Sequence, residues 1–316
     1  MKGVTEFLFK RFGDAVLGML CLAAVATFAG KLFWVLDLAT HFQVYYFWAA
    51  AVLLVANLVM RRKIPILISL GLVAVGVFHL VPYYLPAKTS DAEGGKVYTA
   101  MLININYANQ KTAAVKQAID AADPDLLVLQ EVTPRWRREL DGLTRVYKSS
   151  HDFPEEAAFG IWALSKFEFA DLDVQRRKGT TFLHLRYKAG GKPIEVVALH
   201  PIPPVGGRAS KDRNALLADA TVYASGEGTR LAIGDFNCSP WSPYFKSFVR
   251  KTGLRDSALG RGVNGTWFPL GPFGIPIDHI LVSPDIEVVD RTVGGDLGSD
   301  HRPVVLKFRI GEGDRK

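Results

Sequence analysis

Residues 233–240 read IGDFNCSP, setting a carboxylate, Asp235, and a carboxamide, Asn237, two positions apart where the apolar segment TRLAIGD ends. Side chains two apart on an extended chain point the same way, so the pair can meet one ligand while Phe236 turns into the core. The placement recurs. Asn104 and Asn106 end one apolar segment, Glu131 ends DLLVLQE and His200 ends VVALH. Asp278 and His279 open IDHILVS, and Ser299-Asp300-His301 open the last apolar segment. Each has an ordinary explanation alone: Asn after a strand forms turns, GD commonly ends strands, and an Asp-His pair is often a surface hydrogen bond. Their recurrence at strand ends, where open sheets bind ligands, makes them a candidate site.

The donor types narrow the chemistry. Glu131, Asp235 and Asp300 are carboxylates, and Asn104, Asn106 and Asn237 are amides. Oxygen donors suit a hard cation, Mg²⁺ or Mn²⁺, which keeps several waters and helps to bind phosphate oxygens. No zinc-type Cys/His spacing occurs, and Cys238 reads as a small packed residue. His200 and His301 are then free to donate hydrogen bonds, transfer protons or stabilise oxyanions.

These residues need a scaffold. From Val97 onward VYTAMLINI, DLLVLQE, FGIWALS, TTFLHLRY, PIEVVALH, TRLAIGD, IDHILVS, IEVVD and RPVVLKFRI read as strands. KTAAVKQAIDAAD and residues 209–224 read as helices. Strands outnumber helices and several follow short turns, which predicts a mixed α/β sandwich and not a doubly wound parallel sheet.

The motif order resembles the endonuclease/exonuclease/phosphatase superfamily over residues 98–309. ININ at 103–106 resembles its opening motif, PDLLVLQEV its LQE segment and VVALHP its histidine-ended strand. GDFN is its most distinctive motif, and IDHILVS and GSDHRPV resemble its two closing motifs. The resemblance implies a four-layer α/β sandwich, two mixed β-sheets flanked by helices, and a metal-dependent phosphoric ester hydrolase. It implies that Glu131 is the principal metal carboxylate, with Asn104, Asn106 and Asp300 beside it. Asp235 would orient or deprotonate the attacking water, and Asn237, His200 and Asn104 would meet the phosphate. His301 would bond the phosphate and be oriented by Asp278. His279 is expected to be structural. Arg213, Thr266 and Trp267 could line the mouth, with a core or loop role equally open to each.

Ahead of this domain lie three apolar runs, 15–36, 44–60 and 64–85, each near the length that spans a bilayer. Lys31 would snorkel to an interface, and Tyr45, Tyr46, Trp48, Tyr83 and Tyr84 stand at run ends. Residues 1–86 are therefore expected to be a three-helix membrane anchor, 87–96 a polar linker, 97–310 the catalytic domain and 311–316 a polar tail. Lys2, Lys10, Arg11 and the Arg61–Lys63 turn flank the runs on one side, whereas DLATHFQ carries no Lys or Arg. The positive-inside rule then places the catalytic domain outside the cytoplasm, on a multi-pass protein of the cell (inner) membrane and periplasmic in a two-membrane bacterium.

The formal charge of +7 divides between the two parts: residues 1–96 hold 9 Lys+Arg against 5 Asp+Glu, and the remainder 29 against 26. That is too balanced to mark a dedicated nucleic-acid module. A nuclease-like phosphodiesterase is nevertheless the leading expectation, with Arg135, Trp136, Arg137, Arg138, Arg208 and Trp241 as candidate groove residues, RWRR reading equally well as a solvated helix face. A phospholipid-type headgroup is the alternative substrate, suited to a site tethered near a bilayer. A third reading, an inactive anchored binding protein, is disfavoured because Glu131, Asp235, Asn237 and His301 are all present. Transport is disfavoured because the runs lack paired intramembrane charge. Only Cys21 and Cys238 are available to oxidise, and a bond between them is not expected.

Overall fold

The computed structural model describes residues 2–86, 95–156, 158–177, 180–270 and 273–311. Most of the expected linker (87–94) and the tail (312–316) lie outside the described residues.

The N-terminal part is helical: α1 (Lys2–Ala29), α2 (Trp34–Ala39), α3 (Gln43–Val59) and α4 (Lys63–Leu80). Three segments, Lys10–Ala29, Trp34–Val59 and Lys63–Tyr83, are long and apolar enough to cross a membrane. The first ends earlier than the expected 15–36. The helix stops at Ala29, and KLFWVL is divided between a turn and α2. Gly30 marks the break, and a Cβ there would stand 3.1 Å from the Pro243 ring, so the chain turns in close contact with the following domain.

From Tyr98 the chain builds two six-stranded sheets. The first is formed by β1 (Tyr98–Asn104), β2 (Leu126–Gln130), β3 (Ser149–Phe153), β4 (Ile161–Ser165), β13 (Ile286–Val293) and β14 (Val304–Ile310), in the order β13-β14-β1-β2-β4-β3. The second is formed by β5 (Phe169–Arg177), β6 (Thr180–Ala189), β7 (Lys192–Leu199), β8 (Thr229–Asp235), β9 (Arg255–Asp256) and β12 (Asp278–Val282), in the order β5-β6-β7-β8-β12-β9. A small hairpin, β10 (Trp267–Leu270) and β11 (Phe273–Ile275), stands apart. Each large sheet holds one parallel pair at its centre. β1 and β2 are joined through α5 (Thr112–Ala122), and β7 and β8 through α7 (Gly207–Ala224).

The inner faces of both sheets share one apolar core that includes Leu102, Val128, Ala163, Val196, Ile233, Ile280 and Leu306. The outer face of the first sheet packs on α5 and on α6 (Pro134–Glu139) through Met101, Val115, Ile119, Leu129 and Trp136. The outer face of the second packs on α7 and α8 (Pro243–Thr252) through Leu199, Leu216, Phe236, Phe245 and Phe248. Helix, sheet, sheet, helix is the expected four-layer order. Alternation explains it: successive residues of β1 and β2 serve opposite faces, so Ala100–Ile103 and Leu126–Leu129 are apolar without a break.

The helical bundle meets this sandwich at one end. Trp241 Nε1–H donates to the His79 carbonyl at 3.1 Å, and Gly260 N–H to that of Pro82 at 3.2 Å. Arg62, in the turn at the opposite end of the bundle, pairs with Asp14 at 2.7 Å.

Candidate active site

Strand register brings the candidate residues together. The parallel pairing of β1 with β2 sets Asn104 opposite Gln130, so Glu131 follows directly beside Asn104. Antiparallel pairing of β8 with β12 sets Asp235 opposite Asp278. Gln130 joins the two sheets: its Oε1 accepts from Asp235 N–H at 2.8 Å, and its Nε2–H donates to the Leu199 carbonyl at 2.7 Å. Gly234 permits this junction, because a Cβ there would lie 1.9 Å from the Leu199 carbonyl oxygen.

On one side of the junction is a hydrogen-bonded row of oxygen-bearing side chains. Asn104 Nδ2 donates to Glu131 Oε1 at 3.0 Å, and Tyr107 N–H donates to Glu131 Oε2 at 3.0 Å. Asn106 N–H donates to Asn104 Oδ1 at 3.1 Å, and Asn106 Nδ2 to Asp300 Oδ1 at 2.7 Å. Trp267 Nε1–H closes the row on Asp300 Oδ2 at 2.9 Å. Asn104 is buried, Glu131 and Asn106 are half-buried and Asp300 is exposed, so the row faces outward at its end.

On the other side Asp235 is buried among imidazoles and an amide. Its Oδ2 lies 3.5 Å from His200 Nε2 and 3.9 Å from His301 Nε2. Asn237 N–H donates to Asp235 Oδ1 at 2.7 Å, and Asn237 Nδ2 reaches Asp235 Oδ2 at 3.3 Å and the Pro201 carbonyl at 2.9 Å. His301 Nδ1–H donates to Asp278 Oδ2 at 2.9 Å. Burial alone would lower the His301 pKa, but the charges of Asp278, Asp235 and Asp300 raise it to about 10, making an imidazolium. Burial opposes the Asp278 charge in turn, and the His301 charge with hydrogen bonds from His301 and Thr266 holds its pKa below the usual carboxylate value.

Backbone conformation marks the same residues. Among the described residues, five non-glycine residues have positive φ, and three of them are Asn106 (56°), Glu131 (62°) and Asn237 (47°). Asn tolerates this region; Glu does not, so Glu131 holds its place against local strain.

Two groupings could hold a cation. Asp235, Asp278 and His301 bring ligand atoms within 4.8 Å of one another, all three buried, with His301 Nδ1 already engaged by Asp278. The Glu131–Asn104–Asn106–Asp300 row is all oxygen and amide at an open edge, the donor set a hard cation prefers. The residues present therefore fit a divalent metal, with donors on both sides of Gln130. The buried His200 Nδ1 and Asp278 Oδ1 have no hydrogen-bond partner among the described residues, and both belong to the Asp235 side.

The structure thus gathers Asn104, Asn106, Glu131, His200, Asp235, Asn237, Asp278, Asp300 and His301 in two adjoining groups. His279 points away from Asp235, bonding the Cys238 carbonyl at 3.0 Å among Phe236 and Phe245. Thr266 is buried, its hydroxyl accepting from Asp278 N–H at 3.1 Å, whereas half-buried Trp267 does line the mouth. Arg213 is fully buried, away from the mouth.

The candidate groove residues fare worse. Trp136 and Trp241 are buried; Arg135 pairs with Glu139, and Arg137 with Asp141 and Asp152. Arg208 and Arg138 remain on the surface, Arg208 at the start of α7 and Arg138 on α6. Sequence reasoning also missed four contributors. Gln130 could have been noticed as a polar residue closing an otherwise apolar strand. Tyr107 beside Asn106, Phe159 with its ring 5.7 Å from His200, and Asp37, whose carboxylate accepts from the Arg213 guanidinium that also reaches the Asn237 carbonyl, carried no motif.

Solved structures share this fold. Truncated Caenorhabditis elegans TDP2 is 19% identical with a TM-score of 0.57, covering 70% of this chain and 100% of that one. An endonuclease/exonuclease/phosphatase from Beutenbergia cavernae is 21% identical with a TM-score of 0.56, covering 68% and 72%. The 3′ phosphatase NExo from Neisseria, bound to a product DNA hairpin, is 18% identical with a TM-score of 0.56, covering 67% and 99%. No curated protein matches the sequence. The family model for endonucleases, exonucleases and phosphatases matches residues 101–301, from β1 to the site histidine, and the chain belongs to that family.

Proposed function

We propose that this protein is a membrane-anchored, divalent-metal-dependent phosphodiesterase of nuclease-like type, with residues 1–86 as anchor and 97–310 as a catalytic domain outside the cytoplasm. The observation that carries this reading is the Asp235 carboxylate, buried between His200, His301 and Asn237 beside a row of carboxylates and amides. Glu131, Asn104, Asn106 and Asp300 would hold Mg²⁺ or Mn²⁺, which when bound neutralises phosphate oxygens. Asp235 is placed to orient a water and take its proton. His301, held by Asp278, and Asn237 are placed to donate to phosphoryl oxygens as charge grows on them, with His200 on the same phosphate.

Nucleic acid is favoured as substrate by three aromatic side chains at the rim, Tyr107, Phe159 and Trp267, which can stack on bases. The structural relative NExo holds a DNA product. A lipid headgroup is the second reading, for one reason. The β10–β11 hairpin carrying Trp267 is tied to the bundle by Tyr45, whose hydroxyl donates to the Gly274 carbonyl at 2.6 Å, and Phe273 packs on Tyr45. The site mouth therefore adjoins the bundle.

The test uses the full chain in nanodiscs with Mg²⁺. Plasmid DNA, RNA, phospholipid and sphingolipid headgroup esters and bis-p-nitrophenyl phosphate are compared. Hydrolysis of at least one, lost in Asp235→Ala, is expected; an Asp235→Ala variant as active as the parent would remove the reading. The preferred natural ester decides between the two substrates.

A further inference from the structure

A tether needs only a covalent link, yet here the helical bundle reaches into the catalytic domain with buried polar groups, behind the GDFN loop. Asp37, in α2, is 1% exposed, and its partner Arg213, in α7, is 0% exposed. Arg213 Nη2 donates to Asp37 Oδ2, and Arg213 Nη1 donates to the Asn237 carbonyl at 2.9 Å. Asp37 Oδ1 accepts from Ser242 Oγ at 2.7 Å. Four residues on, His41 Nδ1 meets Ser239 Oγ at 3.0 Å and Ser239 N–H at 3.3 Å. Three positions of the 237–242 loop are thus held by the bundle, directly or through one guanidinium. Among the described residues Asp37 supplies the carboxylate paired with Arg213.

Such an arrangement is costly unless the geometry it fixes is needed, because a buried pair gains little over apolar packing. What it fixes is Asn237, whose backbone sits at φ 47° and whose carbonyl is the Arg213 acceptor. The Asn237 side chain in turn bonds Asp235. We propose that Asp37 and His41 are positioning residues of the catalytic centre, and that the helical bundle holds the Asn237–Ser239 loop in the conformation in which Asp235 and Asn237 act together. This rests on the phosphodiesterase reading for its catalytic consequence, and on the contacts alone for its structural one.

Cys238 gives a readout of the loop that is independent of activity. It lies between Asn237 and Ser239, is 0% exposed, and burial pushes its thiol pKa up to about 12. The experiment uses the full chain in nanodiscs carrying Cys21→Ser, so that Cys238 is the one thiol. Asp37→Asn, Asp37→Glu, Ser242→Ala and, as a control, Asp14→Asn at the opposite end of the bundle are compared. Maleimide labelling of Cys238 and kcat and KM on bis-p-nitrophenyl phosphate are measured.

In Asp37→Asn, labelling should accelerate by about tenfold or more as the loop opens locally. The kcat should fall by up to about a hundredfold through misplacement of Asn237. Asp37→Glu should recover most of both, and Asp14→Asn should match the parent. Should Asp37→Asn not fold, Ser242→Ala, which removes one bond to Asp37 together with the α8 cap on Tyr244 N–H, should show the same changes at smaller size, with Ser242→Asn, which can keep the cap, as its control. Labelling and kcat in Asp37→Asn, or in Ser242→Ala where the former does not fold, equal to those of Asp14→Asn would overturn the proposal. A parent that hydrolyses no ester would sink the phosphodiesterase reading, while labelling still decides whether the bundle holds the loop.

Discussion

His301 Nδ1 lies 2.9 Å from Asp278 Oδ2, which directs its Nε2 towards Asp235, 3.9 Å away. The two carboxylates face each other across the β8–β12 pairing, so one imidazole stands between them, bonded to Asp278 and facing Asp235. A residue that acts only through His301 should matter only while His301 is present. Asp278→Asn keeps the volume and removes the charge. Its kcat on bis-p-nitrophenyl phosphate should fall by about 10²-fold, within the range of general acid–base contributions. His301→Ala should fall at least as far, and the double variant should be no slower than His301→Ala. Additive losses would show that Asp278 acts by a separate route.

The oxygen-bearing row predicts where metal dependence resides. Chelation by EDTA should abolish hydrolysis, and Mg²⁺ or Mn²⁺ should restore it. Glu131→Gln removes a charge that accepts from Asn104 and from Tyr107 N–H. It should raise the Mg²⁺ concentration for half-maximal activity by about 10–100-fold, the range seen when metal-site groups are altered. Asp278→Asn, on the other side of Gln130, should shift that concentration far less. If instead Asp278→Asn carries the larger shift, the cation belongs with Asp235, Asp278 and His301.

How much of this could be read from residues follows from where each side chain sits. β1, β2, β4, β7, β8 and β12 lie inside their sheets and are apolar on both faces, so they stand out as apolar runs, and the polar groups at their ends stand out with them. Two of the strands without such a signal, SSHDF and FADLDVQRR, form β3 and β5, each at one edge of its sheet, where one face stays polar, and the short β9, β10 and β11 give no signal either. The Asp235–Asn237 spacing was legible because Phe236 between them packs on Phe245 and Phe248, fixing the alternation. Asp37 was not legible. A lone acid in a connection between apolar runs becomes informative only when Arg213, 176 positions away, is seen against it.

Gly234 tests the junction of the two central strands. A Cβ would fall 1.9 Å from the Leu199 carbonyl oxygen and 2.8 Å from Gln130 Nε2, and backbone cannot give way as a flexible side chain does. Gly234→Ala should therefore destabilise the protein by about 3 kcal/mol or more, at the upper end for overpacked interiors. Thermal unfolding of the detergent-solubilised chain should show the midpoint reduced by several degrees, roughly 2–4 °C for each kcal/mol in a domain of this size. A variant that melts with the parent would mean that β7 and β8 have room to separate at this point.

Gln130 offers a sharper separation of stability from chemistry, because its side chain meets the site through Asp235 N–H. Gln130→Ala leaves that N–H and the Leu199 carbonyl, both buried, without their partner. An unsatisfied buried group costs about 1–3 kcal/mol, so the midpoint of unfolding should drop. Asp235 would also lose the bond that fixes its backbone between His200 and His301. Turnover per folded molecule should fall, while the Mg²⁺ requirement set by the Glu131 row stays close to the parent's. Gln130→Glu keeps the acceptor for Asp235 N–H and loses the donor to Leu199. It should therefore restore turnover ahead of stability if the Asp235 bond is the one that matters for catalysis. Equal recovery of neither would place the role of Gln130 in packing alone.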